Sequence, residues 1–273
     1  MPRIKSFETW VCQQKRDQQD IPHHSEGFRF SDLSRVIVLK LTDEDGFEGV
    51  GTCVAEHSAR VPVGYLQDMV APLLVGRDVY HREAFWKEIW EQDRRVRLFP
   101  INILGCVDVA LWEIAAKRAG LPLYQYLGAA RTSLPAYYSM LYFDSVEDYV
   151  KEVEKARSRG FKAIKVHARD EFDVYTAVRD AAGPDMTLMV DTAADWTYEK
   201  ALRVGRHLEK LNYYWFEEPF RDWNLERYAK LCASLDIPIA ATEVTSGGLW
   251  GVAQAIRYQA VDIVRADVAW GKM

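Results

Sequence analysis

No stretch of this 273-residue chain approaches the roughly 20 consecutive apolar residues that cross a bilayer, so no membrane-spanning helix is expected. Basic residues are in the minority. Thirty-five Lys and Arg against 40 Asp and Glu leave a net charge of −5. The positive field by which proteins neutralise phosphate backbones is therefore missing, and nucleic acid is not an expected partner. Cysteine is scarce: Cys12, Cys53, Cys106 and Cys232 lie far apart without CxxC spacing, which argues against a zinc knuckle and a disulfide scaffold. The opening Met-Pro-Arg-Ile-Lys-Ser lacks the apolar core of a signal peptide. Low-complexity segments are absent too. What the chain does have is 49% apolar residues, enough for a sizeable core, in a length suited to two domains or one barrel. The reading is a soluble, cytoplasmic globular protein.

The first part alternates like strands and then turns helical. Ile4–Cys12 and Val36–Thr42 are β-like, separated by a polar segment from Gln13 to Ser34. Asp43-Glu44-Asp45-Gly46 is a turn signal that leads into a hairpin partner, Phe47–Val54. From Val63 to about Leu127 the apolar residues recur at helical spacing, and Gly120 with Pro122 marks a stop. Strands followed by helices make residues 1–130 an α+β domain. Beyond Ser133 short apolar runs alternate with amphipathic stretches: Leu134–Leu141, Ala163–His167, Thr187–Asp191, Tyr213–Glu217, Ile237–Glu243 and Val261–Asp267. Residues 131–273 thus read as six parallel β/α units, in pitch a (β/α) barrel or a doubly wound sheet.

Three of these runs close on acids, Asp191, Glu217 and Glu243, successive acids being 26 residues apart. That is about one β/α unit, so equal spacing puts the three at one height on the C-terminal rim, where parallel β/α folds do chemistry. Any one acid alone could cap the following helix. Three together repel one another, and a hard divalent cation is the natural counter-charge for an all-oxygen set; Mg²⁺ is the expected ion. Glu218 would point away from Glu217 on an extended chain, so only one of that pair is expected to be a ligand. Lys165 and His167, two apart on one run, share a face and point toward the same rim. A partly desolvated lysine beside a metal is expected to have a lowered pKa and to act as a base.

These residues resemble the enolase superfamily, in its mandelate racemase-type branch. Phe216-Glu217-Glu218-Pro219 is similar to the family's most diagnostic tetrapeptide, and Ala241-Thr242-Glu243 stands where the family carries its third metal ligand. Ala163-Ile164-Lys165-Val166-His167 matches the strand with the Lys-x-Lys signature, and Asp108 to Lys117 with Gly120-Leu-Pro122 matches the helix joining cap to barrel. The resemblance implies an N-terminal α+β capping domain over a modified TIM barrel, of which about six strands are present. It also implies Mg²⁺ on Asp191, Glu217 and Glu243, and abstraction of the proton alpha to a carboxylate with stabilisation of the enediolate. Lys165, His167 and Asp267 would be the catalytic residues. His23 and His24, in the polar segment, would lie in the loop by which the cap meets substrate.

Three departures stand out. His167 replaces the second lysine of the signature. Ala193 stands where many relatives have Asn. Asp267 stands where the muconate cycloisomerase branch has a lysine, which argues against that branch; in the mandelate racemase branch this aspartate pairs with a histidine on strand seven. The chain stops at Met273 before such a strand, and reads as a fragment or prematurely terminated member. The expected activity is dehydration of a sugar acid, a small-molecule carboxylate, by a homo-oligomer. The alternatives are racemisation or epimerisation of a hydroxy acid, or an inactive chain acting as a structural or binding partner.

Overall fold

The computed structural model of the chain describes residues 1–15, 33–55, 58–96, 101–168, 172–221, 223–243, 245 and 247–268. By contact they divide into two compact units. One holds the residues up to Thr132 with Asp267 and Val268, the other Ser133–Ala266. Among the described residues no helix is long and apolar enough to cross a membrane.

The first unit is built on an antiparallel sheet in the order β1 (Ile4–Lys15), β2 (Leu33–Asp43), β3 (Glu48–Val54). Strand alternation puts Ile37, Leu39 and Leu41 of β2 on the buried face, paired with Cys53, Gly51 and Gly49 of β3. Small residues opposite large ones leave room for a helix. Three short helical pieces follow: α1 (Arg60–Tyr65), a π-helical turn (Leu66–Val70) and α2 (Ala71–Leu74). Then come α3 (Arg82–Val96), α4 (Ile101–Arg118) and the single turn α5 (Leu123–Tyr126). Helix α4 lies directly on β3: a Cβ added at Gly51 would sit 1.8 Å from the Cys106 carbonyl oxygen. Glycine is needed there for close approach. The β2–β3 turn is held by Asp43, whose Oδ1 accepts from the backbone N–H groups of Asp45 (3.0 Å) and Phe47 (2.9 Å) and whose Oδ2 accepts from Arg118 (2.8 Å).

The second unit has the expected grammar. A six-stranded parallel sheet runs in chain order through β4 (Tyr138–Ser139), β5 (Ala163–His167), β6 (Thr187–Asp191), β7 (Trp215–Glu217), β8 (Ile239–Ala241) and β9 (Ile263–Val264). Between successive strands lie α6 (Val146–Ser158), α7 (Phe172–Ala182), α8 (Tyr198–Lys210), α9 (Leu225–Cys232) and α10 (Gly248–Arg257). Side chains of Ser145, Thr197 and Asn224 cap α6, α8 and α9, each accepting an otherwise unpaired N–H of the first turn. This strand–helix repeat is consistent with the partial barrel that the family resemblance implies. Its strands are shorter than the apolar runs at the edges: Leu134–Leu141 yields only Tyr138–Ser139, and Val261–Asp267 only Ile263–Val264. Each of these edge strands has a neighbour on one side only within the described sheet.

Candidate active site

Strand register decides which side chains meet. His167, Asp191 and Glu217 end β5, β6 and β7 and are directly paired, so they stand level on three neighbouring strands. Glu243 does not stand level with them, contrary to the equal-spacing expectation. The residue paired with Glu217 is Ala240, and Glu243 lies three residues further on, past the end of β8. The cause is helix length: α9 has 8 residues where α8 has 13, so an unchanged interval in sequence carries the third acid beyond the strand.

Two side-chain cations tie the acids together. The Lys165 ammonium lies 2.8 Å from Asp191 Oδ2 and 3.2 Å from Glu217 Oε2. Arg265, just past β9, donates from Nη2 to Glu243 Oε1 at 2.9 Å and brings Nε within 3.4 Å of Glu217 Oε1. The Trp215 indole donates to Glu217 Oε2 at 3.1 Å. Glu217 Oε1 is buried without a hydrogen-bond partner among the described residues. Such an atom is costly unless something is meant to meet it. Glu218 turns elsewhere, as expected, accepting the Glu243 backbone N–H at 3.2 Å.

His167 bridges two acceptors. Nδ1 lies 2.6 Å from the Met140 carbonyl oxygen and Nε2 3.1 Å from Asp191 Oδ2. A carbonyl only accepts, so Nδ1 donates to it, and Nε2 donates to the ionised Asp191 carboxylate, which likewise only accepts. The Tyr142 ring packs beside the imidazole at 5.6 Å.

Burial and charge act in opposite directions on these groups. For Asp191 burial favours the neutral acid, but the His167 hydrogen bond and the charges of His167 and Lys165 outweigh it and hold the carboxyl down at about 2. Glu217 is pushed up, first by burial and then by the Asp191 charge. Burial opposes the Lys165 charge, yet Asp191 and Glu217 more than offset it and the lysine is raised. The raised lysine reflects the two carboxylates acting on the ammonium, whereas the lowered lysine expected from the sequence is one beside a bound metal ion.

The backbone is strained at the same rim. Six described non-glycine residues have φ in the left-handed region. Ala129, Asn212 and Gln259 lie just past helical segments, where that conformation is common. The other three flank the acids: Ala193 (φ 42°) two after Asp191, Glu218 (φ 49°) next to Glu217, and Thr242 (φ 92°) next to Glu243. Strain concentrated in this way is characteristic of functional sites. It also explains why asparagine, which tolerates such angles, suits the position that Ala193 holds.

The structure thus brings together Lys165, His167, Asp191, Glu217 and Glu243. Asp267, three residues past β9, groups by contact with the first unit. His23 and His24 lie outside the described residues. Arg265 and Trp215 were not anticipated, although Arg265 shares strand alternation with Asp267 and Trp215 with Glu217. As placed, no three Asp, Glu, His or Cys side chains among the described residues are close enough to hold a metal ion. The donors nevertheless suit a hard cation. All are carboxylate oxygens, one of them is unpartnered, and Lys165 and Arg265 stand in for positive charge between them.

Residues 8–128 match the family model for the mandelate racemase / muconate lactonizing enzyme N-terminal domain, and residues 148–271 match the enolase C-terminal domain-like model. The chain is 32% identical to arabinonate dehydratase of Saccharolobus solfataricus, over 86% of this chain and 65% of that protein. It is also 32% identical to D-galactarolactone cycloisomerase of Agrobacterium fabrum, over 91% of this chain and 68% of that protein. Among solved structures, D-glucarate dehydratase from Agrobacterium tumefaciens complexed with magnesium superposes with a TM-score of 0.85 at 30% identity, covering 99% of this chain and 74% of that one. The chain spans about two thirds of the length of the curated relatives named.

Proposed function

Since the chain belongs to the mandelate racemase/muconate lactonizing enzyme family of the enolase superfamily, we propose that it serves an enzyme that removes the proton alpha to a carboxylate and expels water from a sugar acid. The observation that carries this reading is the level pair Asp191 and Glu217, buried and sharing one ammonium, with His167 on the same rim. Asp191, Glu217 and Glu243 would hold a Mg²⁺ ion; the magnesium in the glucarate dehydratase structure supports that choice. When bound, such an ion supplies Lewis-acid polarisation of the substrate carboxylate.

The remaining chemistry falls to side chains. His167 is fixed by the Met140 carbonyl through Nδ1, so Nε2, once deprotonated, is the atom that accepts the alpha proton. Lys165, held charged between two acids, offers a positive group to negative charge that develops on the substrate. The Cα–H bond and the neighbouring C–OH bond are lost together as water, and the resulting enol becomes a 2-keto-3-deoxy acid. Asp267 would orient a proton-transfer partner, and His23 and His24 would face the substrate; both roles come from the family resemblance.

A second reading has one observation behind it, the sugar-lactone cycloisomerase among the relatives, and it uses the same alpha proton. Incubation with Mg²⁺ in D₂O across mono- and dicarboxylic sugar acids and their lactones separates the two by NMR. A 2-keto-3-deoxy product carrying deuterium at C3, formed from a free sugar acid with loss of water, supports dehydration. A deuterated open-chain isomer formed from a lactone without loss of water supports cycloisomerisation. Folded protein that exchanges no alpha proton on any of them contradicts both.

A further inference from the structure

We propose that Arg265 is a built-in counter-ion of this site, a positioning residue that a divalent cation must displace before Glu217 and Glu243 can bind it. The displacement rests on the metal reading above; the counter-ion role rests on geometry alone. Both oxygens of Glu217 face positive groups or donors: Oε2 meets Lys165 and Trp215, and Oε1 faces Arg265. Glu243 Oε1 meets the same guanidinium. A planar fork suits this task, because one arginine can face two carboxylates at once.

For a cation to enter, one of the two side-chain charges must give way. Lys165 is the fixed one: its side chain is 5% exposed and clamped between Asp191 and Glu217. Arg265 is 30% exposed; its backbone N–H donates to Ala241 and its carbonyl accepts from Thr242, while its side chain donates to Glu243 at 2.9 Å and to the Ala266 carbonyl at 3.2 Å. The more exposed of the two cations, Arg265, is the one that would give way to the ion. A guanidinium left in contact with the same oxygens would repel the incoming cation, and in a partly buried site that repulsion is weakly screened.

The test has two arms. In EDTA, Arg265→Met should lower the melting temperature by about 5 °C, because two acids lose their counter-charge; Arg265→Met with Glu243→Gln should recover most of it. With MgCl₂ or MnCl₂, followed by calorimetry and by Trp215 fluorescence, Arg265→Met should bind the ion about tenfold or more tightly, while Arg265→Lys stays near the parent. An unchanged melting temperature overturns the counter-ion. Equal or weaker ion binding by Arg265→Met overturns the displacement. Failure of both proteins to bind either ion overturns the metal reading and the displacement with it, and the EDTA arm still decides the counter-ion.

Discussion

Each unit of the protein buries a carboxylate near an arginine, and the two acids are treated very differently. Asp43 in the first unit is wholly buried, with one oxygen taking two turn N–H groups and the other taking Arg118. Glu217 in the second is 1% exposed, yet one of its oxygens has no hydrogen bond and the next residue sits at φ 49°. An acid with both oxygens hydrogen-bonded holds a turn in shape. One with an open oxygen and a strained neighbour is kept ready for a ligand.

Substituting each acid in turn should separate these roles. Glu217→Gln keeps the shape and removes a buried charge. It should cut alpha-proton turnover by about 10³-fold or more, roughly 4 kcal/mol in the barrier, while the urea midpoint of metal-free protein hardly moves. Asp43→Ala should do the reverse. Loss of a buried, multiply bonded acid should cost about 3 kcal/mol in urea unfolding and leave turnover per folded molecule intact. If both variants lose stability alike, the distinction between the acids is gone.

Titration offers a smaller contrast of opposite sign. The Asp191 carboxyl is held at about 2, below its usual value, so its stabilising effect is complete above about pH 4 and fades as pH falls through 2. That limb is worth about 2 kcal/mol and should flatten in Asp191→Asn, measured in EDTA. In the first unit burial raises Asp108, despite the hydrogen bond from Trp86. Its contribution is complete below the ordinary aspartate range and fades as pH rises through the raised value, so Asp108→Asn should gain relative stability toward neutral pH. The smallest expected effect is relief of strain. Ala193→Gly at φ 42° should stabilise by about 1 kcal/mol, where the same change in mid-helix would cost as much.

Much of this was legible in the sequence. The six parallel strands with the five helices between them, the hairpin turn at Asp43 and the five residues at the rim follow from periodicity, spacing and the Phe216–Pro219 motif. What escaped depends on partners distant in the chain. Arg265 gains its meaning from Glu243 and Glu217, 22 and 48 residues earlier, and nothing local to Val-Arg-Ala-Asp announces them. The height of Glu243 was misjudged because spacing counts residues without knowing that α9 is short. Lys165 was expected to be lowered by desolvation beside a metal ion, whereas the two carboxylates that raise it are brought near only by register.

The central claim is that Asp191, Glu217 and Glu243 gather about one divalent ion. Anomalous diffraction from crystals soaked in MnCl₂ tests it most directly. A single manganese peak among those three carboxylates, with the Arg265 side chain withdrawn, is the expected result; a peak elsewhere, or none in a lattice that leaves the rim open, would contradict it.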